Sequence, residues 1–205
     1  MLFIILLIFL GQPSFGQDYP FGKNFIAGSI TLKDSTSRKG QVKWFPSQEE
    51  KLKFQEGDKG KTEKYTPEDL LGFNADTFQF VSLFNLEVYA NDYALLGKTL
   101  KIKHCFGQVL HHGKFNIYLV FATGYNAVAG SIQTYPNFLF EKKTDSGFQY
   151  AAYPFRTRMK DKKYEKAKED LYVFFKDYPA IIEKIRAYKQ QEDFFEIINL
   201  VKELN

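Results

Sequence analysis

Phe25-Ile26-Ala27-Gly28-Ser29-Ile30-Thr31-Leu32, Lys33-Asp34-Ser35-Thr36-Ser37-Arg38-Lys39-Gly40 and Gln41-Val42-Lys43-Trp44-Phe45 together form the stretch that decides the fold class. Its outer parts carry β-branched and aromatic residues, which suit a pleated, half-buried surface. Its middle is a polar run of the kind that closes a hairpin. Two antiparallel strands are expected here, and the following segments repeat the pattern. Lys51-Leu52-Lys53-Phe54 alternates polar and apolar residues, as a strand with one buried face does. Gly57-Asp58-Lys59-Gly60-Lys61 reads as a turn, and Thr62-Glu63-Lys64-Tyr65 as another strand.

Further along, Thr66-Pro67-Glu68-Asp69 has the makings of a single capped turn. Thr66 suits the cap, Pro67 the first helical position, Asp69 can reach back, and Gly72 is expected to stop the turn. Phe78, Phe80 and Leu83 mark a strand. Leu100, Ile102, Phe106, Val109 and Leu110 fit a short amphipathic helix in part, with Gly113 as its end. Phe115 to Phe121 is a strand rich in β-branched and aromatic residues. Asn137 to Glu141 and Phe148 to Tyr150, around Thr144-Asp145-Ser146-Gly147, make a second hairpin.

After Pro154 the period changes. Tyr164, Ala167, Leu171, Phe174 and Phe175 recur at helical spacing, with Lys166, Lys168 and Asp170 mostly off that stripe. Pro179 opens a second helix through Ile181, Ile182, Ile185 and Tyr188. A third carries Phe194, Ile197, Ile198, Val201 and Leu204. Helices this short cannot build a core alone and must pack on the sheet. The expected fold is α+β: an antiparallel β-sheet or partial barrel with a C-terminal cap of three short helices. Its expected division is a signal peptide over 1–16, a β-rich region over 17–157 and the cap over 158–205.

The signal peptide rests on an unbroken apolar run from Met1 to Leu10, about half the ~20 residues that a spanning helix needs. Ser14 and Gly16 sit at the −3 and −1 positions of a cut before Gln17. No Lys or Arg precedes the run. Export to the periplasm or the extracellular space is the expectation. The lone cysteine, Cys105, allows no intrachain disulfide and reads as a small buried hydrophobe.

Chemistry-bearing patterns are sparse. His104, Cys105, His111 and His112 resemble a metal cluster, but on a helix His104 and His111 stand about 10 Å apart along the axis, too far to share an ion. No metal or cofactor site is assigned. Gly97-Lys98-Thr99 is no phosphate loop, because Asp92 stands where its first glycine is required. No serine has glycine two positions away on both sides, which removes the nucleophile elbow. Paired-carboxylate glycosidase chemistry has Glu68, Asp69, Glu87 and Asp92 as candidates in the β region.

Charge says more. Between Tyr93 and Phe140 there is no acid, yet Lys98, Lys101, Lys103 and Lys114 fall there. From Arg156 to Lys168 seven basic residues face two acids, and that run has the composition of a solvated helix face. The alternative is contact with an anionic surface through Lys98, Lys101, Lys103, Lys114, Arg156, Arg158, Lys160 and Lys163. Nucleic acid is disfavoured, with four arginines against 24 lysines.

Gly28-Ser29-Ile30-Thr31-Leu32 with Gly40-Gln41-Val42, the Tyr65–Phe73 turn and the closing helices resemble a group of uncharacterised exported proteins from the Bacteroidota. The resemblance implies export and architecture and no activity. The leading expectation is an exported, non-enzymatic envelope protein that binds a ligand or partner through its aromatic-rich β region. Its rivals are a hydrolase acting on envelope polymers and a peripheral protein of an anionic membrane surface.

Overall fold

The structure, a computed structural model, describes residues 22–46, 51–57, 60–89, 99–126, 130–145, 147–154, 161–188 and 194–204. The signal-peptide expectation over 1–16 lies outside them. Among the described residues ten strands form one antiparallel sheet. They are β1 (Ile26–Leu32), β2 (Ser37–Lys43), β3 (Leu52–Gln55), β4 (Thr62–Tyr65), β5 (Leu70–Ala75), β6 (Phe78–Tyr89), β7 (Thr99–His111), β8 (Phe115–Asn126), β9 (Ser131–Thr144) and β10 (Gly147–Pro154). Three helices follow: α1 (Asp161–Phe174), α2 (Pro179–Ala187) and α3 (Phe195–Lys202). The protein is α+β. The strand order β10-β9-β8-β7-β6-β5-β1-β2-β3-β4 has two ends, so the sheet is open. No described helix is long and apolar enough to cross a membrane.

The opening hairpin forms, but its turn is shorter than the polar run Lys33–Gly40: Ser37, Arg38, Lys39 and Gly40 pair with β1 as part of β2. Gly28 sits opposite Gly40, and Ile26 opposite Val42. Ser35 takes φ 69° in the turn, and the Asp34 carboxylate accepts the Thr36 N–H at 2.8 Å. β1 also pairs with β5, so it becomes an interior strand. Arg38 then ties β2 to the edge strand β4. Its guanidinium donates to both Glu63 oxygens, at 2.7 and 3.0 Å, and to the Tyr65 hydroxyl at 2.7 Å, and it lies over the Phe54 ring. That fork holds the Glu63 carboxyl down at about 2.

A depressed folded-state value means the pair stabilises fully above the ordinary carboxylate range and is lost as pH falls through about 2. Glu63→Gln is therefore expected to cost about 0.5–1 kcal/mol at neutral pH, after discounting for solvent screening. Urea midpoints of variant and wild type should converge as pH approaches about 2. A pH-independent gap would exclude the ion pair as its source.

Two expectations fail in the β region. The segment Leu100–Leu110 is not a helix but the centre of β7. Leu100 and Ile102 alternate with Lys101 and Lys103 at the period of a strand, and each finds a partner on β6: Val88 for Leu100, Leu86 for Ile102. Gly113 consequently lies in the turn to β8 and ends no helix. Gly72 does not stop the Thr66 turn either. It lies within β5 opposite Val81, where a Cβ would run into the Phe80 carbonyl oxygen. The turn itself forms, with the Asp69 carboxylate accepting the Thr66 N–H and hydroxyl, both at 2.7 Å.

The core divides in two. Ile30, Val42, Trp44, Phe54, Phe73, Phe80 and Phe106 make the smaller cluster, under β1–β5. Trp44 meets Phe73, Phe80 and Phe106 edge-on at centroid distances of 5.1–5.7 Å. The larger cluster joins β6–β10 to the helices through Phe115, Phe138, Phe140, Phe174, Phe175 and Phe194. β6 serves both: Phe80 and Leu83, of opposite parity on the strand, face the smaller and the larger core. Asn85, at φ 54°, then interrupts the alternation, so that Leu86 and Val88 join Leu83 on the larger one.

Ala167, Leu171, Phe174 and Phe175 of the expected first helical stripe are buried, while the side chain of Tyr164 lies outside the described residues; one residue beside the stripe departs from expectation. Lys168 is 5% exposed, so it does not belong to a solvated face. Its ammonium donates to the carbonyls of Arg186 and Tyr188, at 3.3 and 3.4 Å, where α2 ends. A cation suits the negative end of a helix.

Candidate functional site

A cleft of about 1050 Å³ opens where the β2–β4 end of the sheet faces β7–β9. Its apolar wall is Trp44, Pro46, Pro67, Ile102, Cys105, Phe106 and Phe121. Around that wall stand Lys51 just before β3, Lys53 of β3 and Lys64 of β4, with Lys101, Lys103 and His104 from β7. Thr123 and Thr134 supply hydroxyls. They pair directly across β8 and β9. Five lysines and one histidine thus line the space, and no acid does among the described residues.

One carboxylate approaches from the rim. Glu68, on the Thr66 turn, accepts from Lys103 Nζ at 2.9 Å and lies 3.1 Å from His104 Nδ1. The Lys103 ammonium holds the Glu68 carboxyl below its usual range. This wall of the cleft therefore already binds a carboxylate.

Cys105 is half-buried in the cleft wall and packs against the larger core, as a small hydrophobe does. Burial pushes its thiol up to about 12, so it stays protonated and weakly nucleophilic at neutral pH.

The candidate residues of the sequence separate cleanly. Lys101 and Lys103 line the cleft. Lys114 lies at the opposite end of β7, over the Tyr178 ring at 5.1 Å. Lys163 belongs to α1. Lys98, Arg156, Arg158 and Lys160 lie outside the described residues, as does Asp92. Of the other acids considered for hydrolysis, Asp69 is engaged by Thr66, and Glu87 accepts the Thr99 hydroxyl. His104 and Cys105 follow one another on a strand, and His112 faces the Asn116 amide oxygen at 3.3 Å. Among the described residues no three His, Cys, Asp or Glu side chains gather as a metal site would need.

Sequence reading missed Lys51, Lys53 and Lys64. Their signal was visible: Lys51-Leu52-Lys53 repeats the Lys101-Ile102-Lys103 pattern, with lysines projecting from alternate strand positions. No protein-family model, curated protein or solved structure matches this chain.

Proposed function

We propose that this chain is an exported, non-enzymatic binding protein whose lysine-lined cleft takes an anionic ligand. The observation that carries this reading is the convergence of five lysines and His104 on one apolar-walled space whose described lining holds no acid. Low-dielectric walls concentrate the field of such a group and favour an anion over a neutral molecule of the same shape. The aromatic-rich β region acts mainly as the wall and not as a stacking platform, since Trp44 and Phe106 are only 4% and 2% exposed. We further read β6–β10 as a partial barrel that stiffens the β7–β9 side, a reading supported by the hydrogen bonds between Asn137 and the Tyr89 backbone. A glycosidase would need two acids facing each other across the cleft, and its described lining offers none.

Trp44 is the sole tryptophan and lines the cleft, so its fluorescence reports occupancy. Titration with galacturonate oligomers should shift that emission and should weaken as added salt shortens the screening length to about 3 Å at 1 M. Neutral galactose oligomers of the same length should leave it unchanged. Equal responses to both would overturn the reading.

A further inference from the structure

Resting on that reading, we infer that the ligand is a linear acidic glycan held by charges on both sides of the cleft at once. The first side is built from a row of like charges. Lys43 stands opposite Lys53 on β3, and Lys53 opposite Lys64 on β4. Neighbouring strands are about 4.8 Å apart, and like charges directly opposite destabilise a sheet. The chain carries two such pairs in succession, and Lys53 and Lys64 of that row line the cleft. The second side is Lys101 and Lys103, at alternate positions of β7, with His104 beside them. A ligand with a single negative charge can satisfy one side only. A chain with repeated charges satisfies both.

The chemistry of the donors narrows the class. No arginine lines the cleft, so no planar fork is present to grip one carboxylate or phosphate bidentately. Lysines act as point charges and suit acid groups repeated along a flexible chain. Lys103 already donates to a carboxylate, that of Glu68, at 2.9 Å, and His104 Nδ1 lies 3.1 Å from the same oxygen. The paired hydroxyls of Thr123 and Thr134 match the donors and acceptors of sugar hydroxyls. A single-stranded nucleic acid would need exposed ring faces on which bases stack. The rings of Trp44 and Phe106 are instead buried and meet edge-on at 5.7 Å. A flat bilayer would reach the rim of a concave site and not its wall.

The test is calorimetry and Trp44 fluorescence on the full chain. The probes are galacturonate monomer, oligogalacturonates of increasing length, inorganic polyphosphate and oligothymidylate. Affinity for oligogalacturonate should climb with length. Lys53→Gln with Lys64→Gln, and separately Lys101→Gln with Lys103→Gln, should each lower it by about tenfold or more, given the usual worth of a lysine against an anionic surface. Lys114→Gln, outside the cleft, should leave it unchanged. The melting temperature of each double variant, measured alongside its affinity, separates loss of binding from loss of folding.

Monomer binding as tightly as oligomer, or one lysine pair proving dispensable, overturns the two-sided grip while anion binding stands. Polyphosphate or oligothymidylate binding at least as tightly as oligogalacturonate overturns the glycan. Failure of every anion to bind overturns both this inference and the reading beneath it.

Discussion

Replacing Phe194 by alanine is expected to lower the free energy of unfolding by about 3–5 kcal/mol, the range for deleting a large buried ring. The ring stands where the helical cap meets the sheet. It stacks on Tyr153 at a centroid distance of 4.0 Å and an interplanar angle of 9°. It lies against Phe138 at 5.5 Å and meets Tyr188 edge-on at 5.3 Å. It is 3% exposed and immediately precedes α3. Truncation forfeits the transfer energy of the ring and leaves a cavity that Tyr153, Phe138 and Tyr188 cannot all fill. Aromatic pairs at these separations add roughly 0.5–1.5 kcal/mol beyond burial. Chemical denaturation of Phe194→Ala and Phe194→Leu measures the effect, with leucine expected to recover part of the loss. A change below about 1 kcal/mol for alanine would mean that α3 contributes little to the common core.

That integration explains what could be read from the chain directly and what could not. The β1–β2 hairpin, the β9–β10 hairpin and the start of α2 at Pro179 are set by neighbours in sequence: a polar turn, a glycine at positive φ, a proline at the first helical position. β7 was hidden because Phe106, Val109 and Leu110 happen to fall at helical spacing, while the decisive evidence is its pairing with β6 and β8. Pairing with partners far along the chain overrides local pattern. Lys168 was misread for the same reason. Its charge looked solvated within a basic run, yet the carbonyls that receive it belong to the end of another helix. The cleft was half legible. Lys101 and Lys103 stand out in an acid-free stretch, but Lys51, Lys53 and Lys64 lie far upstream and meet them only through the course of the sheet. No periodicity encodes that meeting.

A second large effect is expected at Asn137, whose side chain is fully buried. Its amide treats the end of β6 as a strand would. The oxygen accepts the Tyr89 N–H at 3.0 Å, and the nitrogen donates to the Tyr89 carbonyl at 3.0 Å and the Tyr135 carbonyl at 3.1 Å. Asn137→Leu keeps the volume and removes all three bonds. Each buried backbone group deprived of its partner costs about 1–3 kcal/mol, so a loss of about 2–5 kcal/mol is expected in urea unfolding. Asn137→Asp separates hydrogen bonding from size. When protonated, its carboxyl can still accept from the Tyr89 N–H and donate to one carbonyl. When ionised, it can only accept, and it carries a buried charge with a raised folded-state pKa. A raised value places the stabilising form below the unfolded pKa of about 3.9 and loses it as pH rises through the folded one. Asn137→Asp should therefore approach wild-type stability in acid and fall away toward neutrality; its gap closes in acid as that of Glu63→Gln does, but because the variant gains stability there and not because the wild type loses it. A deficit equal at both ends of the range would show that shape at this position matters and the amide's hydrogen bonds do not.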